Sequence, residues 1–163
     1  AYGIDAAANR AVIQSQGTTI AVLANGLDSV YPKAHSLLAQ DIRQRGALIS
    51  EYPPASRPLA QHFPQRNRII SGLAFGTVVV EAAARSGSLI TARHALEQGR
   101  EVFCVPGAIN NPLTQGCHRL IQQGAKLITG VEDIIAEFSD MTGSCRQHNY
   151  SSENRNLDQW EST

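Results

Sequence analysis

Short runs of apolar residues alternate along this chain with longer segments in which apolar residues recur every three or four positions. The runs at residues 18–23 and 77–80 are rich in β-branched side chains and show no alternation of polar and apolar positions. Such runs are typical of strands that are buried on both faces of a sheet. Residues 34–45 instead place Leu37, Leu38 and Ile42 on one face, as an amphipathic helix does. The pattern predicts a chain of alternating strands and helices.

Continued along the chain, the same pattern predicts five strands and six helices. The predicted strands cover residues 18–23, 47–50, 77–80, 101–105 and 124–129. The predicted helices cover residues 6–13, capped by Asp5, then 34–45, a segment that begins at 66–68, and residues 89–98, 118–123 and 131–138. Strands that alternate with helices through short connections form a parallel sheet with right-handed crossovers. We therefore expect an α/β fold with a doubly wound, mostly parallel sheet.

Two carboxylates and a turn glycine follow the predicted strands, at the edge where sheets of this class bind their ligands. Gly26, Glu51 and Glu81 fall at this edge. Two predicted helix starts flank the end of the third strand: Arg66, Asn67 and Arg68 stand at one, and Ser86, Gly87 and Ser88 at the other. The N-terminus of a helix attracts anions because it carries a partial positive charge and free N–H groups. The sequence therefore predicts a crevice for an anionic ligand.

The charge distribution separates the body of the chain from its C-terminal end. The formal net charge of the 163 residues is zero, but residues 1–131 carry 12 Lys or Arg against 7 Asp or Glu, and residues 132–163 carry 2 against 7. A basic body makes polyanion binding plausible, although cations such as Arg43 and Arg45 fit a solvated helix face equally well. We expect one domain at residues 1–139 and a disordered acidic and polar tail at residues 140–163.

Other features exclude several classes of protein. The three cysteines are widely spaced with no C-x-x-C pair, and no apolar run approaches the roughly 20 residues of a membrane span, so we expect a soluble, cytoplasmic protein without membrane contact. There is no G-x-G-x-x-G, P-loop or G-x-S-x-G motif, so we expect neither an enzyme nor a cofactor. Asp28, Glu51 and Glu81 could bind Mg²⁺ as in a nuclease, but single carboxylates at strand ends are common.

Several motifs, in one order along the chain, resemble those of a known bacterial family. They read YGID at residues 2–5, TIAVL at 19–23, GLD at 26–28, FPQRNRIISGL at 63–73, VVE at 79–81, SGSLIT at 86–91 and VPG at 105–107. Together they resemble the DNA-processing protein A family, also called Smf, of natural transformation. The resemblance implies an extended Rossmann-like fold that binds single-stranded DNA without hydrolysing it, forms a homodimer and helps to load the RecA recombinase onto incoming strands, which it protects.

On this resemblance, a DNA site is predicted from the residues at the strand ends. Its members are Gly26, Arg66, Asn67, Arg68, Glu81, Ser86, Gly87, Ser88 and Thr91. The two arginines suit phosphate contacts, with Asn67 between them positioning the loop or a base, and the Ser-Gly-Ser helix start suits a phosphate. Glu51 or Glu81 would accept hydrogen bonds from bases. Two alternatives stay open: one arginine pairs internally with Glu51 or Glu81, or the glutamates only brace loops.

The sequence departs from the family pattern at two points. Asn9 stands where many members have histidine, and the family's Gly-Ser-Arg segment, which precedes Tyr2, is absent. We therefore expect the natural protein to extend further toward the N-terminus, and part of the DNA site and the first strand of the sheet to be missing. The chain would then either fold incompletely or expose a strand edge.

Two alternative functions remain. One is an enzyme of related fold that cleaves nucleoside monophosphates, although Thr91 is followed by Ala92, Arg93 and His94 where such enzymes need a glutamate. The other is a sensor that binds a nucleotide without catalysis. A mononucleotide and an oligonucleotide titrated side by side would separate these alternatives from a DNA-binding protein.

Overall fold

The computed structural model of the protein describes residues 3–142, and this part of the chain contains five strands and six α-helices. The strands are β1 (Ile20–Val22), β2 (Ala47–Ile49), β3 (Gly76–Val79), β4 (Glu101–Cys104) and β5 (Lys126–Leu127). The helices are α1 (Ile4–Gln14), α2 (Ser36–Arg45), α3 (His62–Gly72), α4 (Ser88–Glu97), α5 (Gln115–Gln122) and α6 (Val131–Thr142), and a 3₁₀ turn, Lys33–His35, precedes α2. Each predicted element is present, and the α/β class is confirmed.

The five strands lie in two parallel sheets and not in one. β1 pairs with β2, and β4 lies between β3 and β5. The expected exposed strand edge is present, because β1 and β3 each pair with one neighbour only among the described strands. The single doubly wound sheet that the sequence predicts is therefore divided into two sheets, and the break lies between β1 and β3.

Each sheet has its own hydrophobic core. Eight buried residues from β3, β4, α4, α5 and the adjoining loop form the larger core: Val79, Ala82, Ala92, Ala95, Val102, Cys104, Cys117 and Leu120. Ala92 and Ala95 are small, so α4 approaches the sheet closely. The smaller core joins α1 and α2 to β1 and β2 through Ala6, Leu38 and Ile42. These cores hold the strand ends, and with them the candidate site, in place.

The two thiols of the larger core are inaccessible to solvent. Cys104 and Cys117 are both fully buried, and the Cys117 thiol donates to the carbonyl oxygen of Val79 over 3.7 Å. Burial raises the pKa of Cys104 to about 12, and it also raises the pKa of Cys117. Both side chains therefore act as small core residues.

Several predicted boundaries differ from the structure, and three of these differences change an interpretation. Helix α1 begins at Ile4 after Gly3, so Asp5 lies in its first turn and makes no capping hydrogen bond. Helix α3 begins at His62, which puts Arg66–Arg68 in its second turn and not at its N-terminus. Helix α6 continues past Phe138 to Thr142, and the rest of the predicted tail, residues 143–163, lies outside the described residues.

The contacts divide the chain into two units, Ala1–Thr129 and Gly130–Thr163. The first unit contains both sheets, and the described part of the second contains α6, where the Gly130 N–H donates to the Asp133 carboxylate over 3.3 Å. Among residues 3–142, no helix is both long and apolar enough to cross a lipid bilayer.

Candidate functional site

A cavity of about 410 Å³ lies along β3 and beyond its carboxyl end, between α3 and the start of α4. Six of the nine predicted site residues line it: Arg66, Asn67, Glu81, Gly87, Ser88 and Thr91. They come from three parts of the chain, and the crossovers of the parallel sheet bring them together. Arg68, Ser86 and Gly26 do not line this cavity.

The start of α4 satisfies most of its own backbone donors. The Ser88 N–H donates to the Ser86 hydroxyl over 3.2 Å, and the next two N–H groups, of Leu89 and Ile90, donate to the carbonyls of Ser86 and Gly87. The Ser86 hydroxyl therefore already accepts the first N–H of α4, while Gly87, which precedes the helix, provides no side-chain cap. An anion at this helix start would be bound mainly by the hydroxyls of Ser88 and Thr91 and by the helix dipole.

Glu81 is exposed just after β3, at the mouth of the cavity. Within the described residues, its carboxylate makes no hydrogen bond or ion pair, so neither alternative considered for Glu81, an arginine partner or a loop brace, is present. An unpaired carboxylate beside Ser88 and Thr91 is a hydrogen-bond acceptor available to the N–H groups of a ligand.

Arg66 is held inside the protein. Its residue is only 9% exposed, its Nη1 donates to the carbonyl oxygen of Val22 in β1, and its Nε donates to Asn67 Oδ1 over 3.0 Å. Burial lowers the pKa of Arg66, and the nearby Asp5 and Tyr52 oppose that shift. The guanidinium thus braces α3 against β1, and in this conformation it is not free to meet a phosphate.

Arg68, two residues further along α3, is exposed and forms an ion pair with Glu51. An internal pair with Glu51 was the alternative left open by the sequence, and it is present for Arg68 and not for Arg66. The two side chains are 51% and 44% exposed, and ion pairs this accessible to water are weak. A phosphate could therefore replace Glu51 as the partner of Arg68.

Gly26 has a structural reason to be glycine. Its N–H donates to the Ser56 carbonyl over 3.1 Å, and a Cβ at this position would lie 2.6 Å from the carbonyl oxygen of Pro53. Asp28 accepts the N–H of Ala55 in the same loop over 2.7 Å. Gly26 therefore lets the proline-containing loop pack against the end of β1, away from the cavity that holds most of the predicted site.

Aromatic residues that the sequence pattern did not single out lie beside the site. Tyr52 stacks on His62 with ring centroids 3.9 Å apart, and Tyr31 meets Phe63 edge-on at 6.0 Å. His62 and Phe63 open α3, and Phe63 also lines the cavity. Phe63, Arg66 and Ile70 are three and four residues apart, and this helical spacing is the sequence signal that indicates this face of α3.

The comparisons with known proteins agree with this architecture. The family model that matches the chain is that of DNA recombination-mediator protein A, and it covers residues 1–139. The chain is 57% identical over 136 residues to Protein Smf of Escherichia coli (strain K12), a match that covers 83% of this chain and 36% of that protein. It is 54% identical over 138 residues to the DNA processing protein DprA of Streptococcus pneumoniae (strain R6), covering 85% of this chain and 49% of that protein. The chain thus spans between about a third and a half of these relatives.

Two solved structures share the fold. The X-ray structure of DNA processing protein A from Streptococcus pneumoniae superposes with a TM-score of 0.78 at 52% identity, over 84% of this chain and 48% of that chain. A structure of DNA processing protein A from Helicobacter pylori, described by its single-stranded DNA binding mode, superposes with a TM-score of 0.70 at 22% identity, over 83% of this chain and 72% of that chain. The second likeness concerns the fold alone.

Proposed function

The chain belongs to the DNA recombination-mediator protein A family, and from that premise we propose that its α/β unit binds single-stranded DNA in the cavity beyond β3. The complete protein, on this proposal, acts in the cytoplasm during natural transformation, where it protects incoming strands, forms a homodimer and helps to load RecA. The observation that carries the proposal is the composition of the cavity, which gathers an amide, two hydroxyls and an unpaired carboxylate at one strand end.

This set of groups matches the chemistry of a single strand. Single-stranded DNA exposes the Watson–Crick edges of its bases together with its phosphates, so a site for it needs hydrogen-bond acceptors as well as donors. Glu81 would accept from base N–H groups, Asn67 can both donate and accept, and the hydroxyls of Ser88 and Thr91 would donate to phosphate. A site for phosphate alone would gain nothing from the Glu81 carboxylate.

The remaining predicted residues have supporting roles in the proposal. Ser86 and Gly87 shape the start of α4, and Gly26 lets the neighbouring loop close against β1. Arg68 binds a phosphate in place of Glu51. The loss of an exposed ion pair costs little free energy. Arg66 reaches a phosphate only after it leaves the carbonyl of Val22.

We propose further that this unit binds DNA without cutting it. Support comes from the cavity lining, because the side chains that surround it contain no nucleophile hydrogen-bonded to a general base. The alternatives, a nucleoside-monophosphate hydrolase or a nucleotide sensor, require a mononucleotide to bind as well as an oligonucleotide does.

The test is a binding assay with the 163-residue chain at low salt. Fluorescence anisotropy of a labelled oligo-dT of about 20 nucleotides measures affinity, with unlabelled single strand, the matching duplex and AMP as competitors. The proposal predicts that unlabelled single strand competes and that AMP does not, even in large molar excess. Displacement of the label by AMP at micromolar concentration would favour the sensor, and release of adenine from AMP would favour the enzyme.

A further inference from the structure

Asn25 is a polar side chain in the protein interior, just beyond the end of β1. It is 1% exposed, and its Nδ2 donates to the carbonyl of Gly26 over 2.9 Å, to the carbonyl of Ser29 over 2.8 Å and to the hydroxyl of Ser29 over 3.2 Å. Its own carbonyl accepts the Ser50 hydroxyl over 2.7 Å. Asn25 therefore ties the turn at residues 26–29 to the chain that follows β2.

An asparagine followed by glycine can modify itself, because glycine has no side chain to hinder the attack of its nitrogen on the preceding amide. The Gly26 nitrogen loses its proton to water and forms a bond to Asn25 Cγ. The Cγ–Nδ2 bond breaks, and the leaving nitrogen takes a proton from water and departs as ammonia. A second water molecule opens the resulting succinimide ring, either to aspartate or to isoaspartate, in which the main chain continues through the side-chain carboxyl.

The folded structure hinders this reaction at both reacting groups. The Gly26 nitrogen is engaged, because its N–H donates to the Ser56 carbonyl over 3.1 Å. The Asn25 amide cannot turn towards that nitrogen without giving up buried hydrogen bonds, and unpaired buried donors are costly. The contact with Pro53 that requires glycine at position 26 also leaves Asn25 beside the one residue type that favours the attack. The reaction therefore depends on how often the end of β1 opens.

The half of the first unit that contains Asn25, formed by α1, α2, β1 and β2, has the smaller core. Its core cluster has three buried residues, whereas the cluster around β3 and β4 has eight. Its ladder joins three residue pairs, and among the described strands β1 pairs on one side only. Parts of a protein with few buried apolar contacts open at lower free energy than the rest. The β1–β2 half is therefore expected to open before the β3–β4 half.

We propose that Asn25 and Gly26 form a deamidation site which the fold protects, and that its reaction makes an opening of the β1–β2 half permanent. Both products break the hydrogen bonds of Asn25. An aspartate has no N–H to donate and places a carboxylate beside the carbonyls of Gly26 and Ser29, and an isoaspartate lengthens the main chain of the turn by one methylene. A buried carboxylate without a partner is costly, so the modified half does not close again.

The test follows deamidation of the 163-residue chain at mildly alkaline pH, without DNA, so that its outcome is independent of the proposed DNA binding. Trypsin releases residues 11–33, a peptide in which Asn25 is the only asparagine, and mass spectrometry of its fragments locates the change. In water enriched in oxygen-18, each event also adds one heavy oxygen atom. The rate in urea should exceed the rate in the folded chain at least about tenfold. Asn25→Asp, which reproduces one product, should melt at a lower temperature than the parent.

Two matched variants locate the opening. Leu38 on α2 and Leu120 on α5 are 8% and 7% exposed, and they belong to the smaller and the larger core. Leu38→Val should speed deamidation of the folded chain about fourfold, because one buried methylene is lost from the half that opens. Leu120→Val removes a methylene from the other half and should leave the rate at that of the parent. The proposal is overturned if the folded chain reacts as fast as the unfolded one, if Leu38→Val reacts no faster than Leu120→Val, or if Asn25→Asp melts as the parent does.

Discussion

At the scale of single residues, two arginines on one helix have opposite surroundings. Arg66 is buried against β1 and donates to Val22, which lies 44 residues away in the sequence, whereas Arg68 is exposed beside Glu51. The sequence could predict that this Arg-Asn-Arg segment approaches the site, because its charges interrupt apolar sequence. It could not predict which arginine turns inward, because that choice depends on the distant carbonyl of Val22.

Arg68→Ala is expected to weaken the binding of oligo-dT by about 1–3 kcal/mol and to make the log–log slope of affinity against salt shallower by about 0.7. The melting temperature should hardly change, since an exposed ion pair contributes at most about 1 kcal/mol. Anisotropy across a salt series measures both quantities for DNA, with Arg45→Ala as the matched control. If the slope for Arg68→Ala equals that of the parent, Arg68 does not contact phosphate.

Arg66→Ala is expected to lower the free energy of unfolding by about 1.5–3 kcal/mol, because it removes a charge-assisted hydrogen bond and leaves the Val22 carbonyl without it. In this chain the salt slope for DNA should stay close to that of the parent, since Arg66 does not face the solvent. Urea unfolding and the same salt series measure the two effects. A stable variant with a shallower slope would show that Arg66 already contacts phosphate.

Glu81→Gln should alter the order of affinities for the four DNA homopolymers while the protein stays folded. The amide can donate as well as accept, so bases that offer N–H groups lose part of their advantage over those that offer acceptors. Competition binding with each homopolymer gives the ranking, and circular dichroism checks the fold. If the ranking is that of the parent, Glu81 does not read bases.

At the scale of elements, the sequence predicted every strand and helix because short apolar runs and 3.6-residue periodicity are local signals. The predicted start of α3 at residues 66–68 was wrong, because Pro64 lies in the first turn of the helix, where proline is tolerated. That error moved Arg66 and Arg68 to a helix N-terminus that they do not occupy.

The packing of β4 against α5 predicts a pH dependence of stability. An unfolded thiol ionises near pH 9.0, whereas buried Cys104 keeps its proton up to a pKa of about 12, so above pH 9 the unfolded state loses its proton first. The stabilising contribution of Cys104 therefore falls as the pH rises, by about 1 kcal/mol between pH 9 and pH 10. The difference in unfolding free energy between the parent and Cys104→Ala should shrink accordingly; a constant difference would contradict the burial of the thiol.

At the scale of the whole molecule, the sequence pattern could not predict which strands pair with each other. Periodicity identifies β1 and β3 as strands but carries no information about which strand lies beside them, because pairing joins residues far apart in the chain. The family motifs predicted the fold class and an exposed edge. The division into two sheets, and the use of Arg66 to fill the space between them, emerge only from the three-dimensional arrangement.

The central claim is that the cavity beyond β3 holds a single strand of DNA. The most direct measurement is crosslinking with an oligonucleotide that carries photoreactive 5-iodouracil at alternate positions, followed by mass spectrometry of the 163-residue chain. The account predicts crosslinks to peptides containing Asn67 and residues 81–91, which are lost when excess unlabelled single strand is added and kept when AMP is added. Crosslinks confined to other surfaces of the first unit, or an undiminished pattern in the presence of competitor DNA, would contradict it.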